Sequence, residues 1–198
     1  DWLTCVGRLA FPIFAFLLVE GFFHTRDLKR YVLRLLLLAL LSEIPFDLMY
    51  AGTSFFPFHQ NVIWTFLIAL FCMWVIERVK RRGNLWLTLL AAAGMSLAGW
   101  LAGTIAMVDY YGAGVLTVLL FYLFRGGLWW QRLGQAAGMI WINCGLLAGL
   151  VLQVNILGLT VEFPQQGFAL LALIPIWLYR GRQGYHSRWV HTACYLFY

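Results

Sequence analysis

Charge is what this sequence has least of. Only 11% of its 198 residues are Asp, Glu, Lys or Arg, against roughly a quarter in an ordinary soluble domain. Proline is scarce at five residues, and no Pro- or Ser-rich linker, low-complexity tract or polar block interrupts the chain. The sequence therefore reads as one domain over residues 1–198. The four cysteines, Cys5, Cys72, Cys144 and Cys194, stand singly in apolar segments without a CxxC spacing. They read as small buried hydrophobes rather than a disulfide or metal set. His186 and His191 are five apart with no carboxylate or cysteine nearby to complete a site, so no metal is expected. The chain begins at Asp1 rather than Met and stops inside the apolar run WVHTACYLFY, so it reads as part of a longer protein.

Apolar residues fill the space that charge leaves. They make up 63% of the chain, and the mean hydropathy is +0.80. No soluble packing of this length hides so much apolar surface. The expected class is an all-α, polytopic transmembrane bundle, with ten Trp and nine Tyr clustering near span ends as interfacial belts. Apolar runs between polar or Gly/Pro breaks give about eight spans, at 4–23, 31–50, 61–77, 85–106, 110–124, 135–154, 167–179 and 189–198. The connecting loops alternate in charge. Those at 24–30, 78–83, 125–134 and 180–188 are basic, whereas the others hold no Lys or Arg and two carboxylates, Asp109 and Glu162. The positive-inside rule then puts residue 1 outside, the four basic loops in the cytoplasm and His59 outside. The net charge of +6 is thereby mostly topological. No continuous basic face suggests nucleic-acid binding.

Against this background the first two stretches stand out. GRLAFPIFAFLLVEGFF and YVLRLLLLALLSEIPFD carry Arg8, Glu20, Arg34, Glu43 and Asp47. Ionisable groups at membrane depth are costly and mark functional cavities. Counted from the cytoplasmic edge, Glu20 and Arg34 lie roughly 5 Å deep, Glu43 about 18 Å, and Arg8 and Asp47 roughly 24 Å. Matching depths predict an inner pair, Glu20 with Arg34, and an outer cluster of Arg8 with Asp47 and Glu43. Glu43 and Asp47 share a helix face, while Arg34 lies about 180° around from Glu43 at 100° per residue. Pro12 and Pro45 are expected to distort the two helices. A set of inert ion pairs bracing the bundle is the plainer reading of these residues; five such groups with two prolines favour a functional cavity.

The same residues carry a resemblance. The segment from Gly7 to Asp47 resembles the signature of the TraX family of conjugal-transfer membrane proteins, which includes the F-pilin acetylase. The similarity continues more loosely through HQNVIWTFLIAL and VDYYGAGVLTVLLFYLFR. TraX proteins resemble in turn a wider superfamily of integral-membrane acyltransferases. FAFLLVEGFF followed by TRDLKRYVLR occupies that superfamily's pattern of a helix, a basic stretch and a second helix opening with paired arginines. Arg30 and Arg34 match that pair, spaced four apart rather than three. The resemblance implies a bacterial inner-membrane, multi-pass acetyltransferase that uses cytoplasmic acetyl-CoA. Its acceptor would be an amine, such as a pilin N-terminus, or a hydroxyl.

In this reading Arg30, Arg34 and Arg26 meet the CoA phosphates. Glu43 or Asp47 takes the acceptor proton, with Arg8, Glu20 and His59 completing the catalytic set. A polar ladder from Glu20 and Arg34 to Asp47 and Arg8 would link the two membrane faces. His59, Gln60 and Asn61 orient the acceptor, or Asn61 caps the next helix. Asp109 salt-bridges a substrate amine, or serves as a cap. The superfamily's catalytic histidine belongs to a helix before the segment with which this chain begins, and no residue here replaces it. Three rival functions remain open: a transporter or channel through a charged cavity, an acyltransferase with a sugar or lipid acceptor, and a non-catalytic factor for pilus or conjugation assembly.

Overall fold

Asp27, Asn61 and Asn84 each start a helix by covering an exposed amide. Their side-chain oxygens accept from the backbone N–H of Arg30 (3.1 Å), Ile63 (3.0 Å) and Leu87 (3.1 Å). The computed structural model describes residues 7–147, 149, 151–156, 159–179, 181, 189 and 192. Helices α1 (Ala10–His24), α2 (Leu28–Ala51), α3 (Val62–Lys80), α4 (Leu85–Ile105) and α5 (Tyr111–Leu123) follow the first five expected spans closely. They form a bundle in which α5 packs against α1, α3 and α4, and α2 lies against α3. Ala15, Val19, Leu70, Met73, Val115 and Val118 are fully buried at its centre.

The neighbouring helices α4 and α5 approach closely because glycine lies between them. Gly99 and Gly103 are four apart on α4. A Cβ on Gly103 would sit 2.9 Å from the carbonyl oxygen of Tyr111 and 3.1 Å from Cα of Gly112. This is the small-residue packing typical of helices without a hydrophobic driving force between them.

Beyond α5 the sequence expectation needs correction. The single span over 135–154 is instead helix α6 (Trp129–Ile140), a π-helical turn (Trp141–Leu146) and then strand β1 (Val151–Ile156). Strand β1 pairs antiparallel with β2 (Leu159–Pro164), in register from Val151↔Pro164 to Ile156↔Leu159. Gly145 and Gly149 interrupt the helical pattern, and both strands are rich in β-branched residues, which favour pairing. The span at 167–179 is a 3-10 helix (Gln165–Ala172) continued by helix α7 (Leu173–Leu178). Most of the expected span 189–198 and of the basic stretch 180–188, together with Cys5, Cys194, His186 and His191, lie outside the described residues.

Among the described residues two helices, α3 and α4, are long and apolar enough to cross a membrane. Three shorter apolar helical stretches, Ala10–His24, Tyr111–Leu123 and Gln165–Leu178, are 10–17 residues long. Of the apolar window of α4, 6% is buried within the chain, which sets it apart from the core helix of a soluble domain. Helix α2 has 24 residues but carries Arg34, Glu43 and Asp47. It runs unbroken through Pro45. Pro12 also leaves its helix intact: it lies in the first turn of α1, where a missing N–H is unneeded.

Candidate functional site

The face of α2 determines which of its charges meet the bundle. Ala39 is fully buried, and Glu43 one turn later turns toward α3. Arg30 and Arg34, close to the opposite face, are exposed. Arg30 pairs with Asp27 at 3.1 Å, and Arg34 has no ion-pair partner among the described residues. The expected Glu20–Arg34 pair is therefore absent. Glu20 instead meets Arg125, just beyond α5, through Nε–Oε1 at 2.7 Å and Nη2–Oε2 at 3.2 Å. Arg125 also stacks over the Phe23 ring, 4.3 Å from its centroid, and His24 stands 3.7 Å from Glu20.

At the other end of α2 the chain gathers a buried polar cluster. Asn61 is both the cap of α3 and a clamp: its amide donates to the Ala39 carbonyl at 2.9 Å and to Oε2 of Glu43. Trp64 Nε1 donates to the same Glu43 oxygen at 3.0 Å. Asp47, 1% exposed, accepts from the Phe56 amide at 2.8 Å through Oδ2. Glu43 Oε1, Asp47 Oδ1 and Arg8 Nε are buried and have no hydrogen-bond partner among the described residues. Arg8 makes no salt bridge to Asp47 or Glu43. Its charge acts instead on Asp109 and Tyr110.

The turn between α4 and α5 supplies the remainder. Met107, Tyr110 and Tyr111 all have positive φ, at 51°, 62° and 49°. Such left-handed non-glycine residues cost energy and concentrate at functional sites. Gln60 and Val108 form a parallel bridge that holds this turn to the loop before α3, and Thr65 Oγ1 donates to the Asp109 carbonyl at 2.7 Å. This brings His59 Nε2 to 3.8 Å from Asp109 Oδ1. The His59 side chain is 12% exposed and its ring stacks on Tyr50 at 4.6 Å between centroids. Burial pushes the Asp109 carboxyl above its ordinary range. The His59 charge, the Tyr110 amide and the Arg8 charge offset part of that shift. The Tyr110 hydroxyl is raised for the same first reason, burial, with the Asp109 charge adding to it and Arg8 opposing.

Thus Arg8, Glu43, Asp47 and His59 of the expected site residues come together at one end, with Asn61, Trp64, Asp109 and Tyr110. Glu20 lies at the opposite end. The core between is apolar, lined by Ala15, Val19, Leu70 and Met73, so the described helices contain no continuous ladder of charges. Of the three arginines expected to meet CoA, Arg26 lines two neighbouring clefts. Among the described residues no cluster suited to a metal is present, and Cys72 and Cys144 are free.

A helical bundle with two membrane-length apolar helices and incompletely paired charges buried at one end is the class that fold and site define. The chain belongs to the TraX protein family, whose model matches residues 1–198. It is 38% identical over 82 residues to the probable fimbrial assembly protein FimC of Dichelobacter nodosus, which covers 38% of this chain and 34% of that protein. The chain thus spans about a third of this relative's length. No solved structure matches it.

Proposed function

We propose that this protein is an integral-membrane acetyltransferase of the bacterial inner membrane. It moves an acetyl group from acetyl-CoA to an amine or hydroxyl of a pilus- or fimbria-related acceptor. The observation that carries this reading is the buried cluster: two carboxylates and a guanidinium each keep an unpaired polar atom beside a histidine and an aspartate. Inert bracing pairs would consume those atoms, because leaving them unpaired is costly.

In the reaction the acceptor nitrogen or oxygen attacks the thioester carbonyl carbon, and the carbon–sulfur bond breaks. The acceptor proton goes to Glu43 or His59, and the leaving thiolate regains a proton as free CoA. Asp47 and Asp109 are suited to hold a protonated acceptor amine, and Arg8 to steady developing negative charge. The resemblance assigns the donor phosphates to Arg26, Arg30 and Arg34, at the start of α2. Transfer requires the acetyl thioester to reach the Glu43 end through the apolar core.

The test is acetyl-CoA binding by calorimetry on detergent-purified full-length protein, followed by mass-spectrometric detection of acetyl transfer to candidate pilin peptides. Wild type should bind and transfer, and Glu43→Gln should bind without transferring. Absence of binding by folded protein would remove the donor assignment.

The Dichelobacter relative, a probable fimbrial assembly protein, favours one second reading, a non-catalytic assembly factor. That role would survive Glu43→Gln with pilus or fimbria formation intact.

A further inference from the structure

Where the link 25–27 meets the end of α3, Arg26, Arg78 and Arg81 surround a cleft of about 360 Å³. The carboxylate in it is Glu77, and Glu77 already accepts a hydrogen bond from the Tyr122 hydroxyl at 3.0 Å. The cup is therefore a net cationic pocket. Arg78 is held partly in place by the Trp74 ring, with Cζ 4.9 Å from the centroid. Arg26, Leu28 and Trp74 also line a second, larger space of about 760 Å³. It runs between α2 and α3. Asp27, already paired with Arg30, and Lys29 line it beside Arg26, and the rest of its wall is apolar: Val32, Leu36, Leu67 and Leu70, with Leu33 and Phe71 at the lip. Leu33 is 54% and Phe71 59% exposed, so the groove opens sideways, along the flank of a membrane-length helix.

We propose that this cup and the adjoining groove bind an anionic phospholipid, with the headgroup phosphate between Arg78 and Arg81 and one acyl chain between α2 and α3. Three features select this occupant. The cationic mouth complements a phosphate. The groove beyond it has the apolar lining an acyl chain needs. The lateral opening lets the second chain stay in the bilayer, which a soluble ligand would not require. Basic pockets between helices on the side that carries the basic loops are suited to such headgroups. The inference depends on α3 crossing the membrane and not on acetyl transfer.

The experiment adds phosphatidylglycerol or phosphatidylcholine to the full chain in detergent, reading bound lipid by native mass spectrometry and stability by the thermal midpoint. Phosphatidylglycerol should bind saturably and raise the midpoint, and phosphatidylcholine should do neither at equal concentration. The double variant Arg78→Gln with Arg81→Gln should weaken that binding roughly 30-fold. Lys80→Gln with Arg82→Gln, outside the cup, should leave it within a few-fold. If the cup variant fails to fold, Leu36→Trp, which fills the groove and retains the cup, should reduce binding in its place. Equal binding of the two lipids, or indifference to both cup and groove variants, would mean annular lipid only and overturn the proposal. Displacement of phosphatidylglycerol by acetyl-CoA would assign the cleft to the donor and overturn it as well.

Discussion

Arg125 clasps Glu20 with two hydrogen bonds, Nε to Oε1 at 2.7 Å and Nη2 to Oε2 at 3.2 Å, across 105 residues of sequence. The pair ties the end of α1 to the end of α5. Arg125 is 37% exposed and Glu20 13%, so water screens part of the attraction. Arg125→Ala should cost about 1 kcal/mol, seen as a lowered thermal midpoint in detergent. Arg34→Ala should cost little, and a double-mutant cycle should give coupling for Glu20 with Arg125 but none with Arg34.

Asn61 joins two helices, α2 and α3, through one side chain. It caps α3 and binds both the Ala39 carbonyl and Glu43. Asn61→Ala should cost roughly 2–3 kcal/mol, because a cap is lost and two buried acceptors lose a donor. Chemical denaturation would measure the loss. Asn61→Asp keeps the cap but sets a second carboxylate against Glu43, so it should not restore stability.

Stability should also depend on Asp109 through pH. Burial raises its carboxyl above the ordinary value of 3.8, so the folded state holds the proton more tightly than the unfolded chain. That contribution is fully present below the ordinary value and is lost as pH rises through the raised one. The thermal midpoint of wild type should fall across this window more steeply than that of Asp109→Asn. Equal slopes would show that the carboxyl is not desolvated as the structure implies.

Glycine on α4 offers a paired comparison. A Cβ at Gly103 meets the Tyr111 carbonyl oxygen at 2.9 Å, while one at Gly94 meets nothing within 4 Å. Gly103→Val should therefore destabilise the α4–α5 contact by about 1–3 kcal/mol. Gly94→Ala should be neutral or stabilise by roughly 0.5–1 kcal/mol. Intrinsic tryptophan fluorescence during heating would separate the two, since Trp100 lies at that contact.

Much of the fold was legible because apolar runs and their breaks are local signals. Asn61 stands directly before an apolar run and caps it as the sequence allows, and the first five expected spans match α1 to α5. The hairpin over 151–164 was missed because its first strand begins inside the apolar run 135–154, which hydropathy alone reads as helix, and its second lies in a stretch read as a loop. The positive-φ turn at 107–111 was also hidden, since Met, Tyr and Tyr are not residues that announce a left-handed backbone. The Gly99 and Gly103 spacing was present as a signal that went unread, and the structure shows that it marks the tight α4–α5 contact.

By itself the sequence determined the chain's class and the unusual concentration of ionisable groups between Gly7 and Asp47. Composition and periodicity are properties of the chain alone, and the cost of hiding charge in apolar surroundings does not depend on the fold. It also separated Arg34 from Glu43, since both lie on one helix and angular position is local. Only the tertiary structure decided who partners whom. Glu20 takes Arg125 rather than Arg34 because α2 turns Arg34 away from the bundle. Arg8 turns to Asp109 and Tyr110 because a strained turn, fastened to Gln60, brings them to the end where Glu43 and Asp47 are buried. Depth along a helix limits which charges can meet. The rotation of each helix and the packing of distant segments select among them.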